Sequence, residues 1–264
     1  LGAMLATQYI VGQLNVPLQR LVGFLRTAQD AKLSLERLGE LQQMEAEEKE
    51  GEQRMEELPA VADLVLENLS FAYSPLSGEV LKGIDLRIPH GKVTAIVGAS
   101  GSGKTTLVKL LLGFYLPQKG RIQLGGYDLQ GYAISTWRRA CGAVLQDGFL
   151  FSDTIANNIA ESSSTVEIEQ LRKAIRLANL ATFIQELPQQ LQTKIGPQGN
   201  GVSQGQRQRL LIARAIYKDP SFLFFDEATN ALDAENEKVI VDNLPQFFAG
   251  RTVVVVAHRL STVR

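Results

Sequence analysis

The sequence predicts an α/β fold built on a parallel sheet. Two apolar runs, residues 222–225 and 252–256, have the length and the aromatic or β-branched content of strands buried on both faces. A third short apolar run, residues 92–97, leads directly into a glycine-rich loop and an apolar helix. Because strands and helices alternate along the chain, we expect a layered α/β sheet.

The composition excludes several classes of protein. The 264 residues include 27 Lys and Arg against 28 Asp and Glu, a net charge of −1, which argues against binding nucleic acid through bulk charge. With 45% hydrophobic and 21% charged residues, neither wholesale disorder nor a polytopic membrane protein fits. The single cysteine, Cys141, excludes an intramolecular disulfide framework and is interpreted as a small buried hydrophobic residue.

The N-terminal part differs from the rest. Residues 1–19 carry no charge, but polar residues and Pro17 interrupt the apolar run, which falls short of the roughly 20 mainly apolar residues that span a bilayer. This segment is either the tail of a membrane helix or an ordinary buried helix. Apolar residues recur at helical spacing over residues 16–41, which predicts a long amphipathic helix.

An acidic segment follows this helix. Residues 44–57 contain seven acids against Lys49 and Arg54, and Pro59 closes the run. Such a charge run is typical of a solvated linker. We therefore divide the chain into residues 1–43, a linker at 44–59, and a domain at 60–264.

The pattern after residue 60 changes to short strands. Strands are predicted at residues 64–69, 71–73, 80–88, 92–97 and 121–124, with a turn at 74–78. Ser164 and Glu167 have the spacing of a capping box, which predicts a helix from there to residue 178, and helical pattern continues to 187.

The loop at residues 98–105 carries the strongest chemical signal. It reads G-A-S-G-S-G-K-T, a complete G-x-x-x-x-G-K-[ST] loop between a strand and a helix that starts near Thr106. Glycines let backbone N–H groups turn inward around phosphates, and the helix N-terminus adds positive potential. Lys104 is expected to reach the β- and γ-phosphates, and Thr105 to offer its hydroxyl to Mg²⁺. The sequence therefore predicts binding of a nucleoside triphosphate.

Two adjacent acids, Asp226 and Glu227, follow the apolar run at 222–225. They stand at the carboxyl end of a predicted parallel strand, where open α/β sheets bind ligands. Asp226 is expected to hold Mg²⁺ directly or through water, and Glu227 to polarise the attacking water.

With these two motifs, residues 60–264 resemble the nucleotide-binding domain of ABC transporters. The run V-S-Q-G-Q-R-Q-R at residues 202–209 is similar to the signature loop of that family and the start of its helix. Gln146 matches the Q-loop, residues 230–233 match the D-loop, His258 matches the switch histidine, and Tyr73 matches the aromatic residue that stacks on adenine. The resemblance implies a P-loop NTPase (RecA-like) parallel sheet core with an antiparallel β subdomain and a helical signature subdomain, preceded by the N-terminal helix.

The resemblance also implies a set of site residues for ATP and Mg²⁺. The catalytic residues are Glu227, His258 and Gln146, and the metal ligands are Thr105, Gln146 and Asp226. The residues that bind nucleotide are Tyr73, Gly98, Ala99, Ser100, Gly101, Ser102, Gly103, Lys104, Thr105, Thr106, Ser203, Gly205, Gln206 and Asp233.

The members of the signature loop imply a partner. In the family arrangement Ser203, Gly205 and Gln206 close over ATP that is bound to a second subunit, and Asp233 touches the site of that subunit. A second copy of the domain, or a related half-transporter, is therefore expected, with nucleotide bound between the two.

Two departures from the family pattern stand out. The usual signature is Leu-Ser-Gly-Gly-Gln, whereas Val202 and Gln204 replace the leucine and the first glycine here. The Gln204 side chain is expected near the facing γ-phosphate. Pro197 stands where exporters carry a glutamate in a Gly-Glu-x-Gly loop, so the contact that this glutamate makes with the membrane domain in the family is not expected here.

The N-terminal residues indicate the kind of ABC protein. A helix, a linker and the ATPase in one polypeptide resemble exporter half-transporters, and residues 146–155 (Q-D-G-F-L-F-S-D-T-I) are similar to exporter sequence. Residues 28–38 resemble the corresponding helix of bacterial peptide and bacteriocin exporters, some of which carry an N-terminal peptidase domain. The resemblance implies that residues 1–43 are the end of the last transmembrane helix and its cytoplasmic extension, and that the domain continues beyond Arg264. It also implies a location at the inner membrane with the ATPase on the cytoplasmic side, peptide cargo and no nucleic acid partner.

Two other functions remain open at this point. One is a soluble ABC ATPase without a membrane domain. The other is a nucleotide-gated module with very low turnover, which Gln204 motivates.

Overall fold

The computed structural model describes residues 2–43, 47–48, 53–161, 165–197, 199, 201–228 and 230–257. The chain divides into two compact units, Leu1–Glu52 and Gln53–Arg264. This division falls inside the acidic segment that the sequence marks as a linker.

The first unit contains one long helix, α1, which runs from Gly2 to Gln43 with Pro17 inside it. The helix predicted at residues 16–41 is therefore correct in type but starts too late. Proline removes one backbone donor without stopping the helix here, and the residues before it include the strong helix formers Ala3, Met4 and Leu5. No helix in the described ranges is both long enough and apolar enough to cross a membrane.

The strands of the described residues all lie in the second unit. They are β1 Leu64–Phe71, β2 Leu81–Ile88, β3 Val93–Val97, β4 Lys119–Leu124, β5 Tyr127–Asp128, β6 Cys141–Val144, β7 Asp153–Thr154, β8 Lys194–Ile195, β9 Phe222–Asp226 and β10 Thr252–Ala257. The sequence predicts β1, β2, β3, β4, β9 and β10, but it misses β5, β6, β7 and β8, whose two to four residues are too few to show a periodicity.

In the part of the chain that the structure describes, the strands form the expected parallel sheet and antiparallel sheet, and β7 and β8 pair separately in a two-stranded antiparallel sheet. The parallel sheet has the order β3-β10-β9-β6, and the antiparallel sheet has the order β2-β1-β4-β5. Val93 pairs with Val253, and Thr252 pairs with Phe222, so the carboxyl ends of β3, β10 and β9 reach the same edge. That edge carries the chemistry described below.

The helices of the second unit surround the parallel sheet. They are α2 Lys104–Leu111, α3 Ile134–Ala140, α4 Ile155–Ile159, α5 Ile168–Leu177, α6 Ala181–Gln185, α7 Gln204–Lys218 and α8 Ala234–Phe248. The predicted start of α5 at a Ser164 capping box is wrong, and Ser164 itself lies outside the described residues. Glu167 is the N-cap without a side-chain cap, and its backbone N–H donates to the Tyr217 hydroxyl at 2.8 Å. A tertiary contact therefore replaces the local cap.

Alternate residues of the central strand β9 lie in two different apolar clusters. Leu223 and Phe225 of β9 lie in one cluster with residues of α4, α5, α7 and α8. Phe222 and Phe224 lie in the other with α2, α3 and the antiparallel sheet. Cys141 is buried in the second cluster, as predicted, and burial raises the pKa of its thiol well above the ordinary value.

Candidate active site

The phosphate loop joins the end of β3 to the start of α2. Gly103 is the residue before the helix and has a φ of +91°. A Cβ atom there would lie 2.8 Å from the Leu81 side chain and 3.2 Å from the Val80 carbonyl oxygen. Glycine is required at this position because both the backbone conformation and the space exclude a side chain.

Lys104 folds back over this loop. Its Nζ atom donates hydrogen bonds to the carbonyl oxygens of Gly98 at 3.0 Å and Ala99 at 2.8 Å, and the side chain is buried. The loop residues 98–102 are exposed. The ammonium group is thus held at the loop by two neutral carbonyls, which it can exchange for a stronger anionic acceptor.

Asp226 lies at the end of β9 and is fully buried. Neither of its carboxylate oxygens has a hydrogen-bond partner among the described residues. Desolvation raises the pKa of Asp226, and Glu227 and Asp147 raise it further, while Thr105 and Lys104 oppose the rise. A buried carboxylate with two unpaired oxygens beside a threonine hydroxyl fits a divalent cation with oxygen ligands.

Glu227, the next residue, has an unusual backbone. Its φ is +52°, in the left-handed region that non-glycine residues rarely adopt. Its N–H donates to the Val256 carbonyl at 3.2 Å, and its side chain accepts a 2.7 Å hydrogen bond from the Asn230 amide. Its own carbonyl accepts hydrogen bonds from the Asn230 N–H at 3.2 Å and from Gln208 Nε2 at 3.0 Å.

Gln146 follows β6 and is exposed. It lies at a pocket of about 140 Å³ together with Glu227. The other residues that line this pocket are Leu145, Gln204, Arg207, Gln208, Leu211, Asn230 and Ala231. The structure thus brings two of the three predicted catalytic residues together, and the third, His258, lies outside the described residues.

The signature residues form the start of α7. Ser203 is the N-cap, and its Oγ accepts from the Gln206 N–H at 3.2 Å while Gln206 Oε1 accepts from the Ser203 N–H at 2.8 Å. This is a complete capping box. A Cβ atom on Gly205 would lie 3.2 Å from the Ala231 carbonyl oxygen, so glycine allows α7 to approach the D-loop closely.

Two further predicted site residues, Asp233 and Tyr73, lie outside the phosphate loop and the signature helix. Asp233 caps α8 and accepts from the Asn236 N–H at 2.9 Å, which lowers the pKa of Asp233. The Tyr73 ring is 50% exposed, and its hydroxyl lies 2.9 Å from Thr106 Oγ1. It packs edge-on against Phe71 and Tyr115, with ring centroids 5.1 and 5.3 Å away. Strand β1 ends at Phe71, so the predicted continuation to Tyr73 is wrong.

Sequence reasoning misses Gln208 and the contact that Asn230 makes with Glu227. A signal for Gln208 exists, because it stands one helical turn after Gln204, at i and i+4, and both residues line the same pocket. The helical periodicity of α7 could therefore have predicted that Gln208 lies on the helix face that lines the pocket with Glu227.

Comparison with known proteins decides the family. The family model described as ABC transporter matches residues 81–230. The chain belongs to the ABC transporter family. It is 42% identical to the exotoxin translocation ATP-binding protein PaxB of Pasteurella aerogenes and to the alpha-hemolysin translocation ATP-binding protein HlyB of Escherichia coli O157:H7. It is 41% identical to the leukotoxin translocation ATP-binding protein LktB of Mannheimia glucosida.

These three alignments cover 100% of the chain but only 37% of each relative. A solved structure of a bacterial Atm1-family ABC exporter with ATP bound superposes with a TM-score of 0.80 at 34% identity, over 90% of this chain and 42% of that one. The predicted fold is confirmed, and the chain is an ABC ATPase domain of exporter type.

Proposed function

We propose that this domain is the ATP-hydrolysing motor of an exporter half-transporter. The observation that carries the proposal is the meeting of three elements at one edge of the parallel sheet. The phosphate loop follows β3, and Asp226 and the adjacent Glu227 stand at the end of β9; both strands pair in parallel with β10, so their carboxyl ends lie at the same edge.

Each residue has a task that follows from its surroundings. Lys104 exchanges the carbonyls of Gly98 and Ala99 for the phosphates of ATP, while N–H groups of the loop and of the α2 N-terminus donate hydrogen bonds to the phosphate oxygens. Bound Mg²⁺ supplies charge neutralisation at the phosphates. Asp226, Thr105 and Gln146 would hold it, and this would satisfy the unpaired oxygens of Asp226.

Glu227 takes the role of general base. Its carboxylate, held by Asn230, orients the attacking water and accepts its proton, and Gln146 at the same pocket assists. His258 is assigned from the sequence as a donor to the γ-phosphate. Tyr73 supplies an exposed ring face for adenine.

A second copy of the domain, or a related half-transporter, completes the site. Ser203, Gly205 and Gln206 lie at the positive end of a 15-residue helix, which favours the triphosphate of the facing chain. Asp233 lies at the same contact. ATP binding draws the two domains together, and hydrolysis with phosphate release separates them.

The wider assignment rests on the relatives. Their names describe toxin translocation, and the chain spans about a third of their length, which supports an exporter with its transmembrane part in the same polypeptide. We place the domain on the cytoplasmic side of the inner membrane and assign a peptide cargo, with no nucleic acid partner. The rival is a nucleotide-gated module of very low turnover, which is favoured by Gln204 at the pocket that contains Glu227.

One experiment tests the motor function. ATP turnover and ATP-Mg²⁺-dependent dimerisation are measured for the wild type and for Glu227→Gln. We expect turnover to fall by about 10²-fold or more, because the base is lost, while ATP still induces dimers. Turnover that is unaffected by the substitution contradicts the role of Glu227. A wild type with only background turnover supports the gated module.

A further inference from the structure

Gln208 bridges the signature helix and the segment that carries Glu227. It lies in α7, its side chain is buried, and its two polar atoms are both engaged. Nε2 donates to the Glu227 carbonyl at 3.0 Å, and Oε1 accepts from the Ala231 N–H at 3.3 Å. The side-chain amide of Gln208 therefore links Glu227, the residue after β9, to Ala231 in the D-loop.

The Glu227 backbone needs such support. A non-glycine residue with φ of +52° costs of the order of 1 kcal/mol or more, and it persists only where surrounding contacts hold it. The direction of the Glu227 carboxylate follows from this backbone conformation. Hydrogen bonds from Gln208 Nε2 and from the Asn230 N–H both hold the Glu227 carbonyl.

The bridge also has a rigid connection to the signature residues. Ser203 caps the helix in which Gln208 lies five residues later, and Gly205 lets this helix approach Ala231. A movement of the first turn of α7 is therefore transmitted to both ends of the bridge.

We propose that Gln208 is a positioning residue for hydrolysis, which sets the orientation of Glu227 and links it to the position of α7 in the same chain. This inference rests on the proposed ATPase function. It predicts that loss of the bridge lowers kcat while ATP binding is retained, because ATP binding is assigned to the phosphate loop and Tyr73 and not to Gln208.

The test compares two variants with a matched control. Gln208→Leu keeps the size of the side chain and removes both bonds. Gln208→Glu keeps the acceptor for Ala231 and, when protonated, can also donate to the Glu227 carbonyl. Asn243→Leu is the control, since Asn243 bridges α8 to the Leu177 carbonyl at 3.2 Å, away from the nucleotide site.

For Gln208→Leu we expect kcat to fall by about tenfold to a hundredfold, and KM for ATP to change by less than about threefold. Thermal unfolding checks that both leucine variants are folded. Asn243→Leu is expected to keep the kcat of the wild type.

Gln208→Glu provides a readout that a structural role does not move. Burial raises the pKa of the introduced carboxyl group. Among the described charged residues that line this pocket, the negative charge of Glu227 raises that pKa further, and the positive charge of Arg207 lowers it. We expect the ratio of the kcat of Gln208→Glu to that of the wild type to rise as the pH falls from about 8 to about 6, because the protonated form restores the bridge.

Two outcomes would overturn the inference, and a third would overturn the proposed function itself. A kcat for Gln208→Leu within about twofold of the wild type excludes a positioning role. A kcat ratio for Gln208→Glu that is flat with pH and as low as that of Gln208→Leu assigns Gln208 to structure alone. A wild type without turnover rejects the proposed function itself, whereas turnover that requires Glu227 and is indifferent to Gln208 rejects only the inference.

Discussion

Asp226 illustrates how a single residue exchanges stability for chemistry. It is fully buried at the end of β9, and neither carboxylate oxygen has a hydrogen-bond partner among the described residues. An unpaired buried polar group costs about 1–3 kcal/mol, and more when it is charged. The cost falls on the ligand-free state, since a bound cation would remove it.

Asp226→Asn should therefore stabilise the nucleotide-free domain. We expect the melting temperature at neutral pH to rise by about 3 °C or more, given about 2–4 °C per kcal/mol for a domain of this size. The folded protein binds the Asp226 proton at higher pH than the unfolded chain, because its pKa is raised from 3.8. The gain should be full above the raised pKa and should vanish as the pH falls below 3.8.

Thermal unfolding as a function of pH, with and without ATP-Mg²⁺, measures this effect. The control is Asp128→Asn, which makes the same chemical change at an N-cap where asparagine serves equally well. ATP-Mg²⁺ should stabilise the wild type and the control, and should stabilise Asp226→Asn much less. A variant less stable than the wild type without nucleotide would contradict the account of Asp226.

The helix α7 is the element on which the candidate site depends most. Its first turn carries the capping box of Ser203 and Gln206, and its second turn carries Gln208. The same Ser203 hydroxyl that caps the helix in one chain is proposed to face nucleotide on another. The two tasks of Ser203 can be separated by substitution.

Ser203→Ala should lower the free energy of unfolding by about 1 kcal/mol through loss of the cap. Ser203→Asp should keep that stability, because aspartate caps as well as serine, but its charge should oppose a facing triphosphate and abolish ATP-induced dimers. Urea unfolding and size-exclusion chromatography in the Glu227→Gln background measure the two effects.

Thr154→Asp is the matched control, because it places the same charge at the N-cap of α4. We expect this variant to dimerise like its parent. ATP-induced dimers of Ser203→Asp at wild-type yield would exclude Ser203 from the proposed nucleotide site between two chains.

The predictability of each element follows from where its determinants lie. The strands β9 and β10 and the phosphate loop could be predicted because their signals are local, as unbroken apolar runs and a fixed motif. The start of α5 could not, since the Glu167 N–H is satisfied by Tyr217, a residue 50 positions away. The bridge made by Gln208 was equally hidden, because it depends on how α7 approaches Ala231.

At the scale of the whole molecule, the parallel sheet joins two apolar clusters. Alternate residues of β9 point to opposite faces, so that Phe225 enters one cluster and Phe224 the other. Trp137, the only tryptophan, is fully buried, and its ring centroid lies 6.4 Å from that of Phe224. Its fluorescence therefore reports on the sheet and on the helices that cover it.

Phe224→Ala should destabilise the domain by about 3–5 kcal/mol, because it opens a cavity where the side chain is buried between strands and helices. Denaturant unfolding followed by Trp137 fluorescence should show a transition at a lower midpoint. Phe149→Ala, at an exposed phenylalanine, should change the stability by less than about 1 kcal/mol. An unchanged midpoint for Phe224→Ala would contradict this account of the core.

The buried Cys141 makes the chain ready for site-specific labelling. Thiol reagents attack the thiolate, and this sulfur is both enclosed and held in its neutral form by burial. A cysteine introduced at an exposed position, such as Gln130, should therefore react alone under native conditions. Fluorophore or spin-label pairs across two copies can then test the proposed ATP-driven approach of the domains in real time, without first removing the natural cysteine.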